Sequence, residues 1–400
     1  MTKIGKLPNW NLDDLYKSPK DKNLSADLEL SAKEITAFEK KYQNKISDLS
    51  GAELAKAIAQ YEIFYQRLGK ISAYSYLYFV TDMLNEERSS FYQNISEQLN
   101  DISIKTIFFG LEISKLSEKN LAEKLKDKNL KKYQPFIRDV RLGREYQKSQ
   151  EIEEILHEKS QTSRNAWSRL FDETMAGLTF PYQKKELAAA EIFNLLASHD
   201  PKARKEAAKS VGDVLGKNIK LFSFITNTLA KDKAISDKIR NYPHPAKSRH
   251  VSNLIEDEVV DCLADTVKKN YKNLAHRYYQ YKAELFGKKE LDYWDRNAPL
   301  PDEDKQLVSW QDAKKTVLTA YDKFCPKMAE IAEMFFDKNW IDAAPKQGKD
   351  SGAFAHPVTC DTHPYVMLNY QGKMRDVATL AHELGHGIHQ VLAADQGYLM

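Results

Sequence analysis

Cysteine is scarce in this sequence, with three residues among 400, and the three lie far apart at Cys262, Cys325 and Cys360. An odd number of distant cysteines does not suit a disulfide framework and is typical of reduced thiols in a cytosolic protein. Long apolar runs are also missing, since none approaches the roughly 18 residues of a membrane span. Met1–Trp10 lacks the apolar region of a secretory signal. We therefore predict a cytoplasmic protein.

An excess of charge of one sign is missing as well. The 60 lysines and arginines nearly balance the 57 acidic residues, which leaves a net charge of +3. Such a balance gives no electrostatic surface for nucleic acid or for an anionic membrane, and we predict neither as a partner. The hydrophobic content of 42% is ample for a core, and the length suits two or three domains or one large helical body.

Apolar residues recur at helical spacing through most of the chain. Leu54, Ile58, Tyr61 and Tyr65 keep to one face of a predicted helix. Aromatic residues are dense from Tyr61 to Phe109. We interpret them as helix–helix packing, with a ligand-binding aromatic box as the less favoured alternative.

A few segments interrupt the helical pattern. Gly177 to Leu187 predicts a short hairpin, after which Asp200-Pro201 predicts the start of a helix. Asn241 to Pro245 predicts a turn. We therefore predict a helical N-terminal domain over residues 1–195 and a second domain over residues 196–400.

The chemically most informative segment is His382-Glu383-Leu384-Gly385-His386. On a helix, residues four apart lie on one face, so His382 and His386 can direct two imidazoles at one metal ion. Zinc suits this pair because it binds neutral imidazole and keeps a position open for water, whose pKa it lowers to about 7. Glu383 then accepts the proton as the water attacks a carbonyl group. The pattern predicts one zinc ion; the alternative is a surface helix with two unrelated histidines.

The residues around the motif support a buried helix. Asp376 is its predicted N-cap, and Val377 and Leu380 follow at core spacing. Gly385 and Gly387 each cost about 1 kcal/mol in a helix interior, so their presence predicts close packing by another segment.

A predicted strand, Pro364 to Tyr370, comes just before this helix. Its free edge could pair with an extended peptide by main-chain hydrogen bonds and hold a carbonyl over the metal. An ordinary sheet strand is the alternative. The predicted peptide-binding residues are those of the strand and of a preceding loop in which Gly352 permits close approach: Gly352, Ala353, Tyr365, Val366, Met367, Leu368 and Asn369.

Together these features resemble the oligoendopeptidase F branch of the M3 (thimet oligopeptidase-like) zinc metallopeptidases. The resemblance covers nearly the whole chain, although only the last segment is chemically specific by itself. The segments that carry it are Ser163 to Phe171, Leu187 to Leu196, Arg249 to Val260, Trp340 to Asp342, Ser351 to Phe354 and Pro364 to Gly387.

The resemblance implies a mainly α fold: a multi-helical, two-lobed, zincin-like body with a small β-sheet next to the His-Glu-x-x-His helix. It also implies a cytoplasmic zinc metalloendopeptidase that cleaves oligopeptides. Residues 196–400 would be the N-terminal part of its catalytic domain. His382 and His386 match the family's zinc ligands, and Glu383 matches its general base.

One departure concerns the third zinc ligand, which in the family is a glutamate on a later helix, whereas Glu383 is the last glutamate of this sequence. We expect that ligand beyond Met400, as in a C-terminally truncated chain. Such a chain would bind zinc weakly, lack peptidase activity and fray from about Asp376 onward. Two local substitutes are His389 and Asp395, and other histidines, such as His244 and His250, show no ligand spacing.

The alternative function is a catalytically silent helical scaffold or peptide-binding protein that keeps the motif without a complete metal site. Zinc content distinguishes it from the peptidase.

Overall fold

The computed structural model describes residues 4–302 and 306–400. Part of the segment for which we predicted no signal sequence, residues 1–3, lies outside this range. Within the described ranges, no helix combines the length and apolar character that crossing a membrane requires. The prediction of a mainly α fold is confirmed.

Helices form most of the chain up to residue 177. They are α1 (Lys22–Tyr42), α2 (Gly51–Val80), α3 (Glu86–Ser103), α4 (Ile107–Lys115), α5 (Glu118–Lys124), α6 (Lys128–Lys131), α7 (Gln134–Leu142), α8 (Gln150–Lys159) and α9 (Arg164–Gly177). The predicted hairpin follows as the antiparallel strands β1 (Phe180–Tyr182) and β2 (Lys185–Leu187).

The next group of helices surrounds the predicted turn at residues 241–245. It comprises α10 (Ala189–Leu195), α11 (Pro201–Lys217), α12 (Ile219–Arg240), α13 (Lys247–Ser252), α14 (Asp257–Asn270), a π-helical segment (Lys272–His276) and α15 (Arg277–Leu285). Helix α11 begins as predicted, because the Asp200 side chain accepts a hydrogen bond from the Lys202 amide and Pro201 occupies the first turn.

The last elements build the layer that carries the motif. They are α16 (Trp310–Phe324), α17 (Pro326–Asp337), β3 (Ile341–Asp342), β4 (Phe354–His356), β5 (Tyr365–Met367) and α18 (Met374–Ala393). The three strands form one sheet in the order β3-β5-β4, parallel between β3 and β5 and antiparallel between β5 and β4. Helix α18, which contains His382 to His386, packs against β4 and β5.

The start of α18 differs from our prediction. Its N-cap is Lys373, whereas Asp376 lies three residues into the helix. From there the Asp376 carboxylate accepts hydrogen bonds from the backbone amides of Gln371, at 2.9 Å, and Lys373, at 3.0 Å. Asp376 thus caps the helix from its third position. An acid there can accept hydrogen bonds from backbone amides at and before the N-cap, which have no partner within the helix.

The largest buried cluster joins elements from both ends of the chain. It contains Ile71 and Leu77 of α2 together with Val366 of β5 and Leu384 of α18. Segments on both sides of residue 195 therefore share this core. The predicted division into two domains stays a prediction.

The predicted fraying of α18 does not agree with its packing. Leu380 and Leu384 are fully buried, and Ile388 is 2% exposed. Their partners come from α16, α17 and the sheet, all of which precede the motif in the chain. Burial of each such side chain stabilises the helix by about 1.5–3 kcal/mol, and the described chain supplies these contacts itself.

Close packing at the motif glycines is confirmed, most clearly at Gly387. A Cβ atom on Gly387 would lie 2.6 Å from Cζ of the buried Phe335 ring, whereas one on Gly385 would meet the Tyr321 hydroxyl at 3.6 Å. The absent side chain at residue 387 thus lets α17 approach α18 at the motif itself.

We therefore expect Gly387→Ala to lower the free energy of unfolding by about 1–3 kcal/mol, because the added methyl overpacks the contact with Phe335. Chemical denaturation measures this change. The matched control is Gly212→Ala in α11, where an added Cβ has no neighbour within 4 Å. The control should be neutral or stabilising by up to about 1 kcal/mol, as alanine favours a helix over glycine. Equal effects of the two substitutions would contradict the packing argument.

Candidate metal centre

The two motif histidines meet on the exposed face of α18. Nε2 of His382 lies 3.1 Å from Nε2 of His386, and the ring centroids are 4.7 Å apart. Both residues are exposed, while Glu383 between them is only 8% exposed. Two imidazole nitrogens that converge in this way are suitable donors for a zinc ion.

Tyr321 of α16 is a contact of this helix that we did not predict. Its hydroxyl donates a hydrogen bond to the carbonyl oxygen of Ala381, the residue before His382, and lies over Gly385. Burial raises the pKa of Tyr321, so the phenol remains a donor. The only sequence signal for this contact was the glycine at position 385, which indicates a close neighbour but not its identity.

Neither local substitute for the third ligand joins the pair. His389 and Asp395 are exposed. In the described ranges, neither residue forms a group with His382 and His386 in which three donor atoms lie within 4.8 Å of one another. The structure therefore brings His382 and His386 together, with the predicted base Glu383 next to His382 in the chain.

The structure also brings together His244 and His250, whose positions in the sequence show no ligand spacing. His244, His250 and Asp257 place their donor atoms within 4.8 Å of one another. However, the ammonium group of Lys247 lies 3.1 Å from both carboxylate oxygens of Asp257. Hydrogen bonds from His250, His244 and Lys247 hold the pKa of Asp257 far below its usual value. In this cluster the charge of Asp257 is thus balanced by Lys247, and the hydrogen bonds connect α13 to α14.

The structure contradicts the predicted free edge of the strand at Tyr365, Val366 and Met367. β5 is the central strand, paired with β3 on one side and with β4 on the other. Val366 donates to the carbonyl of Trp340 at 2.9 Å, and Leu368 donates to that of Asp342 at 2.8 Å. Since both edges are occupied, no peptide can add to β5 by main-chain hydrogen bonds.

The outer strand on that side of the sheet is β4 instead. Phe354, Ala355 and His356 pair with β5 on one side, and β4 is the last strand of the sheet on the other. Gly352 and Ala353 lead into this strand, and Gly352 is exposed. The predicted loop residues therefore lie at the edge, while the predicted strand residues lie behind it.

Asn369 has a role other than the predicted one. Its Nδ2 donates to the carbonyl oxygens of Asp350, at 2.8 Å, and Gly352, at 2.9 Å. Asn369 therefore uses its donor group on the protein's own loop, which leaves it unable to bond a peptide backbone with the same atom.

Two cavities flank the loop before β4. One, of about 390 Å³, lies between Met175 of α9 and the loop residues Ser351 and Gly352. The other, of about 530 Å³, lies between α3 and α9, and Asp172 and Asp350 line both. Burial, together with the charges of Asp350 and Glu173, raises the pKa of Asp172 to about 6. The two cavities thus share Asp172 and Asp350 beside the loop that leads into β4.

His356 is the titratable residue of β4. Its Nδ1 accepts a hydrogen bond from the Val358 amide at 3.2 Å, and its ring packs against Tyr76 with centroids 5.7 Å apart. Burial lowers its pKa to about 4. The imidazole is therefore neutral in the folded protein well below the pH at which an exposed histidine gains its proton.

This pKa predicts a loss of stability in acid. Between about pH 6.5 and pH 4 the unfolded chain binds a proton at residue 356 and the folded chain does not, so the free energy of unfolding falls by up to about 3 kcal/mol. The contribution is fully present above pH 6.5. Denaturation at several pH values in the wild type and in His356→Asn measures it, and the variant should show a shallower decline. An unchanged pH dependence in the variant would place the acid sensitivity elsewhere.

Comparison with known proteins decides the family. Residues 194–398 match the family described as Peptidase family M3, and residues 112–180 match the domain described as Oligopeptidase F. The chain belongs to peptidase family M3. The resemblance that we inferred from the sequence is thereby confirmed.

Curated M3 relatives are similar over nearly the whole chain. Oligopeptidase PepF of Bacillus subtilis (strain 168) is 26% identical over 396 residues, which cover 95% of this chain and 57% of the relative. The oligoendopeptidase F homolog of Borreliella burgdorferi is 27% identical over 395 residues, covering 96% and 65%. The chain thus spans between 57% and 65% of the length of these two relatives.

Solved structures share the fold. The structure titled PZ peptidase A with inhibitor 2 has a TM-score of 0.74 at 15% identity, covering 99% of this chain and 65% of that one. Oligoendopeptidase-F from Enterococcus faecium has a TM-score of 0.61 at 23% identity, covering 80% and 59%. At these identities the likeness concerns the fold alone.

Proposed function

We propose that this chain provides two zinc ligands, the general base and a peptide-binding edge of a zinc metallo-oligopeptidase. His382 and His386 are the ligands, Glu383 is the base, and β4 with its preceding loop binds the peptide. Oligopeptides are the proposed substrates, and the cytoplasmic location stays a prediction.

The observation that carries this proposal is the convergence of two imidazole Nε2 atoms, 3.1 Å apart, on the exposed face of a helix in an M3 chain. Zinc, when bound there, would supply an activated water and polarise the scissile carbonyl. Glu383, next to His382 in the chain and largely buried, would take the proton from that water and pass it to the leaving amine. The tight packing of α18 keeps these groups in place.

Binding of an extended peptide by main-chain hydrogen bonds suits the open edge of β4. The loop at Ser351 and Gly352 and the two adjoining cavities leave room for side chains of different sizes. Backbone pairing fixes the direction of the peptide without reading its side chains, which is the property that an oligopeptidase of broad specificity requires.

The experiment that tests this function measures zinc and peptide binding together. One equivalent of zinc should bind in competition with a chelating dye, and a fluorescein-labelled oligopeptide should bind the same protein. N-methylation of alternate peptide amides is expected to weaken binding by about tenfold or more, since each lost hydrogen bond contributes on the order of 1 kcal/mol. Side-chain exchanges in the peptide should matter less.

The opposite pattern, with N-methylation harmless and one side chain decisive, would exclude strand pairing on β4. Absence of zinc from the natural full-length product would exclude the peptidase and favour a silent scaffold.

A further inference from the structure

The loop that leads into β4 is held from inside the protein. Asp350 donates its amide to the carbonyl oxygen of Val80, the last residue of α2, at 3.1 Å. The Asp350 carboxylate accepts the Gly352 amide at 2.6 Å. The exposed residues Ser351 and Gly352 therefore lie between Asp350, whose backbone is bonded to α2, and strand β4. We call residues 350–352 the arch.

Asn369 closes this arch from the other side. Its Nδ2 bonds the carbonyl oxygens of Asp350 and Gly352 at 2.8 and 2.9 Å, so one amide group holds both ends of the arch. Its Oδ1 is buried and has no hydrogen-bond partner among the described residues. The orientation of the side chain is therefore fixed by its two donated bonds.

Lys349 anchors the arch at its base. Its Nζ donates to the Asp342 carboxylate at 2.5 Å and to the carbonyl oxygens of Leu368 and Ala344 at 2.7 and 2.9 Å. The side chain is 1% exposed. These acceptors belong to the ends of β3 and β5, so the ammonium group fixes the residue before Asp350 relative to both inner strands.

We propose that Asn369, supported by Lys349, is a positioning residue that presets the β4 edge for peptide binding. This inference rests on the proposed function and adds a residue to it. Asn369 does not contact the peptide through its amide nitrogen; it keeps the carbonyls of Asp350 and Gly352 turned inward. The strand that follows therefore presents its free backbone groups in an ordered, extended conformation.

Asn369→Asp tests this role with little change in shape. The variant replaces the NH₂ group by an oxygen that repels both carbonyls, and Asn369→Leu removes the donor without adding charge. Asn273→Asp on the exposed π-helical segment is the control for charge. Lys349→Met is less suitable as a first test, because it leaves the buried Asp342 carboxylate without its cation.

Two measurements on each folded variant are needed. Amide hydrogen exchange of residues 350–356 should accelerate in both Asn369 variants and not in the control. Affinity for the fluorescein-labelled oligopeptide should fall about tenfold or more. The ratio between affinities for unmethylated and N-methylated peptides should also fall toward one. A residue that only stabilises the fold would change the melting temperature without changing this ratio.

The outcomes separate the inference from the proposed function. Unchanged exchange in residues 350–356 would overturn the positioning role, whatever the peptide does. Faster exchange with an unchanged peptide affinity ratio would overturn the link between the arch and β4. A wild-type protein that binds N-methylated and unmethylated peptides equally well would instead contradict the proposed mode of peptide binding. The hydrogen-exchange result would then still decide whether Asn369 holds the arch.

Discussion

Glu383→Gln is expected to lower oligopeptide hydrolysis by the catalytically competent enzyme by about 10²–10⁴-fold, the usual contribution of a general base. The zinc content should stay unchanged, because Glu383 is not a proposed ligand. The amide is nearly the same size as the carboxylate and fits the same largely buried position. Quenched fluorescent peptides measure the rate, and metal analysis measures the zinc.

The matched control is Glu333→Gln, which removes the same charge from an exposed position on the neighbouring helix α17. Its turnover should equal that of the wild type. Near-normal turnover in Glu383→Gln would show that another group accepts the proton. Loss of zinc from Glu383→Gln would show instead that the carboxylate contributes to metal binding.

The second large effect concerns the zinc ligands. His382→Ala and His386→Ala should each weaken zinc binding by more than the 10–100-fold that loss of an outer-shell partner typically costs. Both imidazoles are exposed and lie 3.1 Å from each other, so their removal disturbs little of the core. Competition with a chelating dye measures the affinity, and thermal unfolding in the absence of zinc verifies that the fold is intact.

His389→Ala provides the control on the same helix, three residues after His386 and also exposed. Zinc affinity should be unchanged, since His389 does not join the ligand pair in the structure. A drop equal to that of His386→Ala would make His389 the third donor. An unchanged zinc affinity in either His382→Ala or His386→Ala would contradict the proposed metal centre.

Local sequence patterns predicted much of this protein. The i, i+4 spacing of His382 and His386 placed two imidazoles on one helix face, and the structure has them there. The hairpin at residues 180–187 and the Asp200-Pro201 helix start were predicted from turn and cap chemistry. Gly387 indicated a close neighbour. Each of these features depends on contacts within a few residues or on a missing side chain, which the sequence displays directly.

Tertiary structure alone decided which strand edge is open. The free edge of a strand depends on its partners, and β5 obtains one of them, β3, from a segment more than twenty residues earlier. The sequence around Tyr365 does not identify that partner, because the edges of a strand pair through backbone groups that every residue other than proline carries. Long-range packing also explains Asn369, which we expected to bind a peptide and which instead donates hydrogen bonds to the loop before β4. The same packing places Tyr321 and Phe335 against α18. The residues of the proposed metal centre were thus determined by local sequence, whereas the strand edge proposed to bind a peptide was determined by how distant segments pair.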